Sequence, residues 1–303
     1  MKHILHTSSF CSIIRRNLPR FFGVGLYVLS ALLLTAIIAD RTTDGAVRSV
    51  LMSGDVLVSG TSSFMIHEKK LPIYCVKTDK KQIALTFDGA WGNEDTATLL
   101  DILDRQGVHA TFFFTGGWVE KFPEDIKTIL SKGHEVGNHS ENHKQMSTLS
   151  KEQCKEEIQK VHNKVKELTG LTMTVFRPPF GDYDDTVIEA ANELGYHVIQ
   201  WDVDSLDWKD YGADSIVHTV TCHKHLGNGS IILMHNGAKY TKDALEEMIT
   251  ELKNQGYEFL TVSELIYKED YKMDHEGRQY VEGLDCPPQA GVSPTPGGVL
   301  REY

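Results

Sequence analysis

Residues 82–114 read QIALTFDGAWGNEDTATLLDILDRQGVHATFFF. The stretch QIALTF is a short apolar run of strand length, the residues beyond it to about Gln106 have the pattern of an amphipathic helix, and HATFFF is a second strand. Outward from this segment the alternation continues: a helix through Ile129, the strand HEVGN at 134–138, a helix over 151–168, and then TVFR, GYHVIQWD, GSIILMH and YEFL. The later strands come after helical stretches such as 184–194 and 242–254, and the pattern runs to Leu265. Repeated strand–helix units imply an α/β fold with parallel strands, in an open sheet or a closed barrel. Periodicity does not choose between the two.

The chain has 303 residues, 41% of them apolar, which is ordinary for a globular protein with a real core. Its formal net charge of −11 argues against a general nucleic-acid binder, because phosphate binding needs Lys and Arg clustered on a basic face. Neutral or cationic ligands are expected. Residues 21–39, FFGVGLYVLSALLLTAIIA, carry no charge and lie between Arg15, Arg16 and Arg20 on one side and Asp40 and Arg41 on the other. At about 1.5 Å per helical residue this run matches the roughly 30 Å hydrocarbon core of a bilayer. The basic flank should stay cytoplasmic.

These features predict a cytoplasmic N-terminus at 1–20, one transmembrane anchor at 21–39, a stalk and lead-in at 40–80, and a folded α/β domain at 81–267. The protein would then be a single-pass protein of the cell membrane with that domain outside the cytoplasm. A cleaved signal peptide is less favoured, since a cut after Ala39 puts Ile37 where a small residue is preferred. The tail 268–303, ending in CPPQAGVSPTPGGVLREY, is rich in Pro and Gly without a periodic apolar pattern and is expected to be disordered. The five cysteines contain no C-x-x-C pair. Cys154 falls in register with Ile158, Val161, Val165 and Leu168, as a core residue would.

Parallel sheets and barrels place active sites at the carboxyl ends of their strands. Polar residues stand there at Asp88, at His139 and His143, at Arg177, in the run WDVDSLDW from Trp201 to Trp208, and at His235. Two imidazoles four apart would face the same way on one helical turn, a common geometry for a divalent metal. Asp88 ends an apolar strand, a costly place for a carboxylate unless it is paired, coordinated or catalytic; a helix cap is the plainer alternative. Arg177 precedes Pro178 and Pro179, so its backbone is extended and its guanidinium can grip a carboxylate; the plainer alternative is a surface ion pair. Asp204, Asp207 and His235 could supply a histidine with an orienting carboxylate for general-acid work.

Five ordered motifs, TFD at 86–88, H-S-x-x-H at 139–143, RPPFG at 177–181, DSLDW at 204–208 and L-M-H at 233–235, resemble the polysaccharide deacetylase family, which contains the nodulation chitooligosaccharide deacetylase. The resemblance runs over 82–266. It implies a distorted (β/α) barrel in which a metal-activated water attacks an N-acetyl carbonyl, releasing acetate and leaving an amine on the sugar. It further implies Asp88 as general base, His139 and His143 as metal ligands, and His235 as the acid that protonates the departing nitrogen. Arg177 would hold Asp88, Asp207 would tune His235, the backbone N–H of Phe180 would hold the oxyanion, and Trp208 and Leu233 would line the acetate pocket.

One position departs from the family pattern. Where the family has a second aspartate that binds the metal, this chain has Gly89. The ion is then left to the two histidines and water, to Asp88, or to a loop carboxylate such as Glu94 or Asp95. The pattern T-F-D-x-x-W-G-N-E resembles a subgroup of sporulation-associated deacetylases of Gram-positive bacteria. The expected cofactor is a divalent metal, zinc first, with cobalt and manganese as alternatives. The expected partner is an N-acetylated glycan polymer, peptidoglycan, because the anchor places the domain where that polymer lies. The competing expectations are a catalytically silent glycan-binding or sporulation scaffold that lost its metal through Gly89, and deacetylation of an exopolysaccharide or another acyl amide. The oligomeric state is not legible.

Overall fold

The computed structural model describes residues 69–283. The proposed anchor at 21–39 and the end of the chain lie outside the described residues; among the described residues no helix is long and apolar enough to cross a membrane. In chain order the elements are β1 (Cys75–Val76), β2 (Gln82–Gly89), α1 (Thr96–Gln106), β3 (Thr111–Phe114), α2 (Gly116–Lys121), α3 (Pro123–Ser131) and β4 (Glu135–Asn138). They continue as α4 (Lys151–Thr169), β5 (Val175–Phe176), α5 (Asp185–Glu193), β6 (His197–Val198), β7 (Val203–Asp204), α6 (Ala213–Thr221) and β8 (Ile231–His235). Last come α7 (Thr241–Asn254), β9 (Glu258–Phe259), α8 (Val262–Leu265), β10 (Lys272–Met273) and β11 (Arg278–Tyr280).

The main sheet runs β6-β5-β4-β3-β2-β8-β7, with β9 beside the start of β2, and each of its pairings is parallel. The path ends at β6 and β7, which do not pair with each other. Across that opening runs the lead-in: Ile73 bridges Ile199 beside β6, and Cys75 bridges Ser230 at the foot of β8. A segment this short spans only about 10 Å at roughly 3.3 Å per residue, so the two sides of the sheet are curled towards each other. Of the open sheet and the barrel that the sequence allowed, the molecule adopts a curled half-barrel, closed at its foot by backbone from outside the main sheet.

The period-two alternation of β2 decides which residues reach the inside. Ile83, Leu85 and Phe87 pack into the layer under the helices, whereas Ala84 joins the smaller inner cluster with Phe113, Val175, Ile199 and Ile231. Thr86 and Asp88 therefore share the inner face with Ala84. Strands buried on both faces need continuous apolar sequence, and TFFF of β3 is buried throughout. The 19-residue α4 begins with a capping box in which Ser150 and Gln153 satisfy each other's backbone N–H groups. Its apolar face buries Cys154, Ile158, Val161 and Val165, so Cys154 is the core residue that its spacing indicated.

The segment after Tyr267, expected to lack structure, is folded as far as it is described. β10 and β11 form an antiparallel hairpin, and β11 pairs with β1. Its signal is turn chemistry and not apolar periodicity, so it left no trace in the strand and helix pattern. The Asp274 carboxylate accepts the N–H groups of Glu276 and Arg278, Gly277 takes φ 78°, and the Gln279 side chain accepts the N–H of Tyr267 at 2.8 Å. The folded unit thus includes residues on both sides of the predicted 81–267 boundaries.

Candidate active site

Asp88 and Arg177 meet inside the half-barrel. Arg177 is fully buried, so the surface ion pair is excluded; its Nη1 donates to Asp88 Oδ1 and to Thr86 Oγ1, both at 2.8 Å, and its Nη2 donates to the Gln200 carbonyl at 3.0 Å. The guanidinium lies over the Phe113 ring, 4.3 Å from its centroid, which fixes its plane. Burial by itself would raise the Asp88 carboxyl, but the charge of Arg177, with His139 and His235 behind it, outweighs burial and holds it below its ordinary value. Asp88 is therefore an ionised carboxylate with Oδ1 occupied. It caps no helix, the residue at the α1 N-cap position being Asp95.

His139 and His143 come together by a different route from the helical turn that their spacing suggested. Residues 139–143 are not helical; Ser140 and His143 take left-handed backbone angles, φ 65° and 52°, and the two rings stand 5.1 Å apart. Glu157 of α4 holds this loop by accepting both the N–H and the side-chain amide of Asn142 at 2.8 Å. His139 Nδ1 donates to the Arg177 carbonyl at 2.8 Å, which leaves Nε2 with its lone pair. Burial pushes the His139 imidazole down to about 4 and lowers that of His143 as well, so both are neutral at physiological pH.

His235 stands on the rung of β8 that pairs with Asp88 of β2. Its Nδ1 donates to Asp207 Oδ1 at 2.7 Å, while Asp207 Oδ2 accepts the His235 N–H at 2.7 Å and the Thr241 hydroxyl at 2.6 Å. Asp207 is completely buried. Burial would lower the imidazole, but the hydrogen bond and charge of Asp207, with Asp88 and Asp204 beyond, raise it above the ordinary histidine value. Asp204 plays no orienting part; its Oδ1 accepts the Leu206 N–H at 2.8 Å.

Asp88, His139, His143, Phe180, Trp208, Leu233 and His235 all line one cavity of about 680 Å³. Phe180 sits at φ 61°, a strained angle for an aromatic residue, with its ring edge-on to His143 at 4.5 Å. The exposed large apolar side chains of the described residues are Trp91, Phe180, Trp208 and Tyr211; the first three line this cavity and Tyr211 is next to its Asp210. Sequence reading assigned no role to Thr86, although it opens the TFD motif, nor to Gln200 and Thr241; Thr86 and the Gln200 carbonyl hold Arg177, and Thr241 holds Asp207. Trp91 was visible in W-G-N-E, but its tilted ring contact with His235, 5.5 Å between centroids, required the fold.

The polysaccharide deacetylase profile matches residues 76–199. The peptidoglycan-N-acetylmuramic acid deacetylase PdaA of Bacillus subtilis is 33% identical over 68% of this chain and 79% of its own length. The chain belongs to the polysaccharide deacetylase family. It stands among hydrolases that cleave carbon–nitrogen bonds in linear amides. The peptidoglycan-N-acetylglucosamine deacetylase PgdA of Listeria monocytogenes is 36% identical over 76% of the chain, a match spanning 48% of PgdA. Among solved structures, a CE4 family pseudoenzyme from Bacillus anthracis superposes with a TM-score of 0.62 at 37% identity, covering 65% of this chain and 69% of that one. A mutant of the same pseudoenzyme is described as having restored enzymatic activity.

The three-ligand metal site that family membership implies is only partly provided for. The neutral imidazoles of His139 and His143 are suitable donors, and Asp88 Oδ2 lies 3.7 Å from His139 Nε2. No third donor joins them: among the described residues there is no group of three His, Cys, Asp or Glu side chains placed to hold a metal ion. Gly89 has no side chain. Asp95 is turned away, accepting Asn236 Nδ2 at 2.5 Å and the Gly237 N–H at 2.8 Å, and Glu94 is exposed and does not line the cavity. The residues present do not fit a three-ligand site.

Proposed function

We propose that this chain is a cell-envelope N-deacetylase acting on the N-acetylated amino sugars of peptidoglycan. The observation that carries this reading is the rung shared by Asp88 and His235, a base and an acid in adjacent strands, each held by its own buried partner. With the N-acetyl group beside Leu233 and Trp208, Asp88 Oδ2 accepts a proton from a water whose oxygen bonds to the carbonyl carbon. The Phe180 N–H stabilises the oxyanion. The carbon–nitrogen bond then breaks as protonated His235 delivers its Nε2 proton to the departing nitrogen, giving acetate and a free amine. General acid–base catalysis of this kind contributes about 10²–10⁴-fold for each group. The exposed aromatic rim suits the apolar faces of pyranose rings. The membrane anchor and a setting in sporulation belong to this proposal on the strength of the sequence alone.

A second reading, a catalytically silent glycan-binding protein, is favoured by the missing third ligand and by likeness to the Bacillus anthracis pseudoenzyme. Incubating the full-length protein with peptidoglycan and with N-acetylglucosamine oligosaccharides, with zinc, cobalt or manganese added, should release acetate. Absence of acetate from a folded protein that still binds the glycan would replace the first reading with the second.

A further inference from the structure

Gly89 ends β2 and is the direct ladder partner of Phe114, which ends β3. Its φ does not lie in the left-handed region, so the backbone does not itself require glycine there. The space beside it does. A Cβ on residue 89 would stand 2.4 Å from two ring carbons of Phe114. That ring has nowhere to go: Phe114 is fully buried and stacked on Trp118 at 3.9 Å between centroids, with Phe112 at 5.9 Å on the same stack. Trp118 is itself buried against Phe122, and its indole N–H donates to the Gly92 carbonyl at 3.2 Å, tying the stack to the Gly89–Asp95 loop.

We propose that Phe114 restricts the metal site to two protein ligands: the ring makes residue 89 a glycine and leaves His139 and His143 as the side chains that hold a divalent cation. The loss of the second aspartate is then one half of a two-residue exchange. A carboxylate at 89 needs a smaller side chain at 114, because close-packed aromatic rings do not yield without repacking their neighbours. The inference concerns the same site as the proposed deacetylation, but its test reads metal affinity and thermal stability, and so fails or succeeds separately from acetate release.

The test is calorimetric titration with zinc chloride, and melting temperatures, for the full-length protein and for His139→Ala, Gly89→Asp, Phe114→Val and the Gly89→Asp/Phe114→Val double variant. The wild-type chain should bind zinc and lose it in His139→Ala. Gly89→Asp alone should lower Tm without tightening zinc binding. The double variant should melt above Gly89→Asp and bind zinc about tenfold or more tighter than Phe114→Val, which controls for the truncated ring; this is the scale on which groups around a metal site alter its affinity. Equal tightening by Gly89→Asp alone, or no tightening in the double variant relative to Phe114→Val, overturns the restriction by Phe114. Absence of zinc binding by the wild-type chain overturns the two-imidazole site.

Discussion

The two halves of the Asp88–His235 rung are equipped unequally. On the β8 side, His235 has a fully buried Asp207, which in turn has Thr241 as a second donor. On the β2 side, Asp88 is gripped by Arg177, but the next residue is Gly89, and the neighbouring imidazoles have no third donor among the described residues. On the proposed reading, the groups assigned to proton transfer keep their supports while those assigned to cation binding are reduced. The two roles would then be physically separable, the first resting on buried charge pairs inside the sheet and the second on what a single Cβ position can hold.

The largest expected effect lies on the complete side. His235→Ala should lower the rate of acetate release by about 10²–10⁴-fold, and Tm should fall as well, since the fully buried Asp207 loses its imidazole partner. A drop much smaller than this would mean that the well-supported half is not the catalytic one. Arg177→Met tests the grip on Asp88. It leaves a buried carboxylate without its cation, a change that costs about 3–5 kcal/mol, measurable by urea unfolding at neutral pH. The sign with pH is defined: the depressed Asp88 carboxyl contributes stability above its unfolded value and loses it as pH falls through the folded one. The gap between Arg177→Met and wild type should therefore narrow in acid.

Asp207→Asn removes the charge that raises His235. The imidazolium then loses its proton at lower pH, so the alkaline limb of the rate profile should move towards acid while Tm changes less than in Arg177→Met. An unmoved limb would show that another group sets it. The smallest effect is expected for Phe180→Gly, which relieves the left-handed backbone but removes the ring against His143. The opposing changes should leave stability within about 1 kcal/mol of wild type, as read from thermal melts.

Much of the site was legible because its residues end short apolar strands in a fixed order, and a strand end in a parallel sheet is a place as well as a pattern. Asp88, His139, His143, Arg177, Asp207 and His235 could be named from their strand ends before the fold was known, whereas Phe180, Trp208 and Leu233 received roles only through the family resemblance. Less legible were the groups that act only through another residue. Thr86 opens the TFD motif without showing what it does there and Gln200 is in no motif; they become supports of Arg177 through contacts 91 and 23 residues away in the chain. The loop at 139–143 was read as a helical turn because i and i+4 spacing suggests one; left-handed Ser140 and His143 bring the rings together instead.

By itself, the amino-acid sequence determined the α/β alternation, the family and the chemistry-bearing side chains, all of which are written in local period, strand-end placement and motif order. Tertiary structure alone decided how far the sheet closes, that the chain stays folded past Tyr267, and that Phe114 occupies the space beside Gly89. The physical reason is the same for each: these outcomes depend on which backbone comes to lie against which across long separations, and a packing contact has no signature in the spacing of the residues that make it.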